Sequence, residues 1–207
     1  KDMGCNAIRT SHNPPAPELL QLTDSMGFIV MDEIFDMWVK KKTAYDYALD
    51  FPKWYKTDMT DWLKRDRNHP SVFIWSIGNE VMEQWEDTSA DNMSLEEANT
   101  ILNNMKVSDT GKNTLSKSAL LTKHLSDIAK SVDPTRPVTA ACNGTQKNNP
   151  LFLSGGLDLI GFNYHQNEFV DVPKNFPGKP FIVTESVSAV QTRGFYLMPS
   201  DSIYIWP

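Results

Sequence analysis

The sequence predicts an α/β protein with parallel strands joined by crossover helices. Three observations carry this. Short apolar runs alternate with segments of helical periodicity. The runs are continuously apolar, as in a sheet covered on both faces. Several end in an acidic residue, above all the runs before Glu80 and Glu185.

Each element follows in order. Asn6-Ala7-Ile8-Arg9-Thr10 reads as a strand, followed by a loop holding His12, Asn13, Pro14 and Pro15. Residues 17–26 read as a helix with Leu19, Leu20, Leu22 and Met26 toward one side, and Gly27 supplies its stop. Residues 28–32 form the second strand. Residues 54–67 form an amphipathic helix closed by Asn68-His69-Pro70, where proline prevents continuation. Residues 72–77 are the third strand. The polar stretch 86–113 contains a helical pattern at 95–105 and a turn at 109–113. A helix at 116–131 carries Leu120, Leu121, Leu125 and Ile128 at helical spacing. Strands at 138–142, 159–164 and 181–184 follow, with a short helical turn at 151–154 and turn signals at 198–201. A closed barrel needs eight such units, and a doubly wound sheet is the competing arrangement. No Gly-x-Gly-x-x-Gly or Gly-x-x-x-x-Gly-Lys loop supports a nucleotide-binding version.

The bulk numbers exclude some classes. The 207 residues suffice for one sizeable core, so residues 1–207 are expected to form one unit. Hydrophobic residues make up 40% and charged residues 22%, with a net charge of −6. That balance argues against nucleic acid and anionic membranes as partners. No apolar run is long enough for a membrane-spanning helix. The basic cluster Lys40-Lys41-Lys42 reads as solvated surface. Cys5 and Cys142 lack metal-type spacing and read as buried free thiols. The chain begins at Lys1 almost directly with a strand and stops in mid-pattern, so a segment of a longer protein is expected. Homo-oligomeric assembly and compartment (periplasmic, secreted or cytoplasmic) stay open.

The candidate chemistry lies at the strand ends. A carboxylate directly after a buried run is costly unless the strand delivers it to a polar cleft. Two such carboxylates in one cleft are the minimum equipment for breaking a glycosidic bond. Glu80 follows Gly78 and Asn79. Asn79 can contact a sugar hydroxyl while Glu80 reaches the leaving oxygen. Glu185 can attack the anomeric carbon if a cation keeps it ionised, and Arg9 is the best candidate. Each glutamate also suits a plain surface or salt-bridged position. Asp32-Glu33 is a third acidic strand end, with Asp36 beyond it, and spacing alone does not choose the working pair. His12 and His165 follow strands without a zinc spacing. Mg2+ or Na+ on a carboxylate rim is weakly supported, and no cofactor is expected to be required. Trp38, Trp75 and Tyr164, near strand ends, suit either sugar platforms or core. Ser11 and Ser76 lack a nucleophile-elbow pattern.

Together the strings Asn6-Ala7-Ile8-Arg9-Thr10-Ser11-His12-Asn13-Pro14, Asp32-Glu33, Asn68-His69-Pro70-Ser71, Trp75-Ser76-Ile77-Gly78-Asn79-Glu80 and Thr184-Glu185 resemble glycoside hydrolase family 2. This is the family of β-galactosidases, β-glucuronidases and β-mannosidases. The resemblance covers nearly the whole chain. It implies a (β/α)8 TIM barrel, incomplete here at about six of eight strands, and a retaining exo-β-glycosidase. It implies Glu80 as general acid/base and Glu185 as nucleophile. It places Asn79 at the sugar 2-hydroxyl, Arg9 and Tyr164 around the nucleophile, and His12 on the sugar. Phe35-Asp36-Met37-Trp38 and the stretch from Thr184 to Gly194 resemble the bacterial β-galactosidase branch. Asp36 and Trp38 are accordingly expected to frame the sugar, and His165, after its strand, is a further substrate-binding candidate. The implied partner is a glycoside or oligosaccharide. The groups that read a glucuronate carboxylate in β-glucuronidases fall beyond this chain. β-Glucuronidase or β-mannosidase activity, and a non-catalytic carbohydrate-binding role, are the alternatives.

Overall fold

The computed structural model describes residues 2, 4–81 and 116–186. The helical pattern expected at 95–105, the turn at 109–113, the segment at 198–201 and the branch-like residues 192–194 lie outside the described residues. The described chain builds one six-stranded sheet. Its strands are β1 (Ala7–Arg9), β2 (Ile29–Glu33), β3 (Val72–Asn79), β4 (Val138–Cys142), β5 (Ile160–Asn163) and β6 (Phe181–Glu185). All neighbours pair in parallel and in chain order, β1 to β6. Sequential order without reversal is the arrangement of a barrel wall. A doubly wound sheet would reverse direction at a switch point.

The crossovers are α1 (Pro17–Met26), α2 (Phe51–Asp66), α3 (Lys117–Val132), α4 (Pro150–Leu153) and α5 (Val172–Asn175). α1 starts with proline at its first position and ends at Gly27, whose left-handed φ of 68° returns its N–H to the Thr23 carbonyl. α2 begins at Phe51, earlier than the expected Trp54, because Pro52 is tolerated in a first turn. Its buried stripe is Phe51, Tyr55, Met59, Trp62 and Leu63. α3 is capped by Ser116, whose Oγ accepts from the Ala119 N–H at 3.2 Å. The 3-10 turns Tyr47–Leu49 and Gln166–Glu168, and α5, had no clear periodic signal because they are one turn or less.

Two apolar layers hold this together. The larger lies between strands and helices, with Val30, Trp75, Ile77, Val138, Ile160 and Phe162 facing Trp62, Leu63, Leu121 and Leu125. The smaller lies on the other face, where Met31, Ile74 and Leu159 meet Ile182. Successive strand residues point to opposite faces, so each strand supplies both layers. Gly161 is required by close approach: a Cβ there would lie 2.6 Å from the Ala140 carbonyl oxygen. Both cysteines are free, but Cys5 is exposed, contrary to the expected burial, because it precedes β1. Cys142 is buried.

Candidate active site

The C-terminal ends of the strands bring the predicted carboxylates into one hydrogen-bonded network. Glu185 closes β6, and Glu80 follows β3 directly. Asn163, the last residue of β5, stands opposite Glu185 in the parallel register. Its Nδ2 donates to Glu80 Oε1 at 2.9 Å and to Asn79 Oδ1 at 3.1 Å. Its Oδ1 accepts from the Thr184 hydroxyl. Register irregularities lie between Ser76 and Asn79 and between Phe162 and Asn163. Such breaks re-aim side chains at the rim of a barrel. Glu80 (φ 41°), Tyr164 (φ 59°) and His165 (φ 50°) all adopt left-handed backbone here. Non-glycine residues in that region store local strain, which clusters at functional sites.

Arg9 joins the two halves. Its Nη1 donates to Glu185 Oε1 at 2.6 Å, and its Nη2 donates to Asn79 Oδ1 at 2.8 Å. Tyr164 donates its hydroxyl to Glu185 Oε2 at 2.5 Å. His12 Nε2 lies 3.8 Å from Glu185 Oε1. Burial would raise the Glu185 carboxyl, but the Tyr164 and Arg9 hydrogen bonds and the charges of Arg9 and His12 outweigh it. Its pKa is therefore held below the ordinary glutamate value. The bond to Glu185, then burial, pushes the Tyr164 hydroxyl up to about 12, so it stays a donor at neutral pH. Glu80 is only 8% exposed.

The Asp32-Glu33 ambiguity resolves by strand geometry. Glu33 faces the site and accepts from Arg9, from His12 Nδ1 at 2.8 Å and from Ser76 at 2.6 Å. Asp32 points to the opposite face and accepts from Trp62 of α2 at 3.0 Å. Burial there pushes its carboxyl up to about 8, with neighbouring Asp66 adding to the rise. Asp32 therefore belongs to the helix layer and does not reach the rim.

Asp36 joins through Asn79, whose Nδ2 donates to its Oδ1 at 3.1 Å. Lys42 also donates to Asp36 Oδ1, at 2.6 Å, and to the Asn79 carbonyl at 2.8 Å. Burial opposes, but these bonds hold the Asp36 carboxyl below its ordinary range. Lys42 thus departs from the solvated surface expected of the basic cluster: its side chain is only 10% exposed, folded back onto Asp36. Nothing local marks this, because the partner is set by a loop that returns to β3.

Two predicted substrate-binding residues sit differently. Trp38 is buried in the helix-side core, and its indole N–H donates to the Ile77 carbonyl at 2.8 Å. It packs against Gly78, where an added Cβ would lie 3.0 Å from Nε1. Its visible part is to shape the exit of β3. His165 hydrogen-bonds Asn143 at 3.1 Å and lies 3.6 Å from Glu168. No hydrogen bond joins it to either catalytic candidate among the described contacts. Trp75 is core, stacked edge-on against Trp62. Sequence reasoning missed Asn163 and Lys42. Asn163 immediately precedes Tyr164 at a strand end, and that position was its one available signal.

Beside His12 and Asp36 opens a cavity of about 410 Å³, also lined by Asn13, Pro14, Phe35 and Tyr47. Its size and largely apolar lining with a few polar groups fit a small-ligand site. Among the described residues no group of three or more His, Cys, Asp or Glu could hold a metal ion. No described helix is long and apolar enough to cross a membrane.

Comparison with known proteins places this geometry in a family. Residues 1–205 match the model of the glycosyl hydrolases family 2 TIM barrel domain. The chain is 62% identical over 209 residues to beta-galactosidase BoGH2A of Bacteroides ovatus, covering 100% of this chain and 25% of that protein. It is 34% identical over 197 residues to a putative beta-glucuronidase of Formosa agariphila, covering 95% of this chain and 15% of that protein. Among solved structures, a beta-glycosidase from Bacteroides vulgatus superposes with a TM-score of 0.65 at 39% identity, over 94% of this chain and 20% of that one. A family 2 member from Bacteroides cellulosilyticus superposes with a TM-score of 0.68 at 33% identity, over 91% and 20%. The chain thus spans about a quarter or less of these relatives' length. With the sequential parallel sheet, the match identifies the chain as a member of glycosyl hydrolase family 2, its described residues supplying six strands of the TIM barrel.

Proposed function

We propose that this chain carries the catalytic centre of a retaining exo-β-glycosidase that releases terminal β-linked galactose. One observation carries the reading: Arg9 and Asn163 tie Glu185, Asn79 and Glu80 into a single network at the strand ends. Each glutamate has a placement that suits its part in the reaction. Glu185 is held ionised by Arg9 and Tyr164, which suits a nucleophile. Glu80 is nearly buried just past β3, with its Oε1 fixed by Asn163, which suits a proton donor and acceptor placed beside the leaving oxygen.

In the first step a Glu185 oxygen attacks the anomeric carbon as the glycosidic C–O bond breaks. The leaving oxygen takes the Glu80 proton, and a glycosyl ester forms on Glu185. In the second step water attacks the anomeric carbon, Glu80 accepts its proton, and the ester bond breaks with net retention. Asn79 is set to contact the 2-hydroxyl, and His12 and Asp36 face the adjoining cavity. The name of the Bacteroides ovatus relative supports galactose as the sugar. β-Glucuronidase is the second reading, supported by the name of the Formosa agariphila relative. The reading needs no cofactor step.

Trapping tests it. A 2-deoxy-2-fluoro β-galactoside with an activated leaving group, followed by peptide mass mapping of the full-length protein, is expected to label Glu185. Glu185→Gln loses the label, and Glu80→Gln still acquires it slowly. No label on the unaltered protein, or equal labelling of both variants, overturns the assignment and favours a carbohydrate-binding role.

A further inference from the structure

We propose that Glu33 is a positioning residue, a buried carboxylate that aims the Arg9 fork so that one guanidinium reaches both Glu185 and Asn79. The inference rests on the reading of Glu185 as the nucleophile and adds a residue to it. Glu33 is 0% exposed and accepts from every side. Arg9 donates through Nε at 3.1 Å and Nη2 at 2.9 Å, His12 through Nδ1 at 2.8 Å and Ser76 through its hydroxyl at 2.6 Å. Its own backbone N–H is fastened to Thr10 Oγ1 at 2.9 Å. A guanidinium is planar and rigid. Holding Nε and Nη2 on Glu33 therefore fixes where Nη1 points, and Nη1 is the atom that meets Glu185 at 2.6 Å. The remaining Nη2 proton falls on Asn79.

Charge follows the same path. The groups that bear on Glu185 are Arg9 and His12 from the β1 side and Tyr164 beyond β5; Glu80, beyond β3, acts on Tyr164, and Glu33 of β2 lies behind Arg9 and His12. Without Glu33 the whole Arg9 charge would bear on Glu185. That would stabilise the ionised carboxylate further and blunt it as a nucleophile. Glu33 shares the charge and keeps the geometry.

The test uses the full-length protein with Glu33→Gln and Glu33→Asp. Glutamine matches the shape but turns N–H donors toward Arg9, His12 or Ser76. Glu33→Gln is expected to slow glycosyl-enzyme formation about 100-fold, the scale set by misplacing a reacting group by about 1 Å. Glu33→Asp keeps the charge and recovers part of that rate. A second readout needs no turnover. Carbodiimide labelling of Glu185, mapped by mass against pH, reports where its carboxyl becomes protonated. That profile is expected to move to lower pH in Glu33→Gln and to stay near the unaltered one in Glu33→Asp. A Glu33→Gln protein within threefold of the unaltered rate overturns the proposal. An unmoved labelling profile in a variant that merely melts at lower temperature overturns it as well. Absence of fluoro-sugar label on the unaltered protein instead overturns the nucleophile assignment, while the carbodiimide profile still decides the Arg9–Glu33 coupling.

Discussion

Arg9 shows how much one side chain decides at the residue scale. It is the last residue of a three-residue strand, yet its fork reaches β2, β3 and β6. Tyr164, just past β5, completes the hydrogen-bonded shell of Glu185, the proposed nucleophile. Its hydrogen bond helps hold Glu185 ionised, so Tyr164→Phe removes a lowering influence and the Glu185 pKa rises. Activity that needs ionised Glu185 is then lost earlier as pH falls, and the acidic limb of kcat/KM moves to higher pH. A hydrogen bond to a charged group is worth about 1.5–3 kcal/mol, so glycosylation is expected to slow about 10- to 100-fold. Stopped-flow with an activated aryl galactoside across pH checks both; an acidic limb that stays in place contradicts the role. The meeting of Glu80, Glu185, Arg9 and Asn79 at the strand ends was legible because acidic strand ends and the family's strings sit in plain order. Asn163 and Lys42 were not, since the partners of Asn163 lie far along the chain and Lys42 meets nearby Asp36 and distant Asn79 only through the fold of its loop.

At the element scale, the α3–β4 connection shows how the barrel wall is held in place. Asp133 follows α3 and accepts from Trp75 of β3 at 3.0 Å, from Arg136 at 2.7 Å and from Thr135. Burial opposes its charge, but these donors hold its carboxyl down to about 2. A depressed folded pKa gives stability that is present above the unfolded value of about 3.9 and is lost as pH falls through about 2. Asp133→Asn is expected to destabilise by about 1–3 kcal/mol at neutral pH. The deficit should shrink toward pH 2, as thermal unfolding of both proteins across pH would show. A deficit independent of pH would assign the effect to packing instead. The positions of the strands and of α1, α2 and α3 followed from apolar runs, Gly27 and the prolines. Of the one-turn elements α4 was expected, at 151–154, whereas the two 3-10 turns and α5 escaped, because a turn of helix has no period to read.

At the scale of the whole chain, the proposed choice of galactose draws on the balance of charges at the described strand ends. Among the described residues the cations there, Arg9 and Lys42, are already paired with Glu33, Glu185 and Asp36. A glucuronate carboxylate would have to compete with these partners, whereas a neutral galactoside need not. The full-length protein is expected to cleave nitrophenyl β-galactoside at least about 10-fold more efficiently than the β-glucuronide, a margin of roughly 1.4 kcal/mol. Parallel kcat/KM measurements decide it, and faster glucuronide cleavage would reverse the choice of sugar.

By itself the sequence determined the parallel α/β plan, the carboxylates at the ends of β3 and β6, and the family through motifs in a set order. Local rules suffice for these, because strands, caps and short strings are written in neighbouring residues. Only the tertiary structure decided that Asp32 and Glu33 part to opposite faces, that Lys42 turns inward, that Trp38 packs behind the exit of β3, and that Asn163 and Arg9 join the two glutamates. Those outcomes depend on strand register and on which side chains converge from distant strands, and neither is a property of any short stretch of chain.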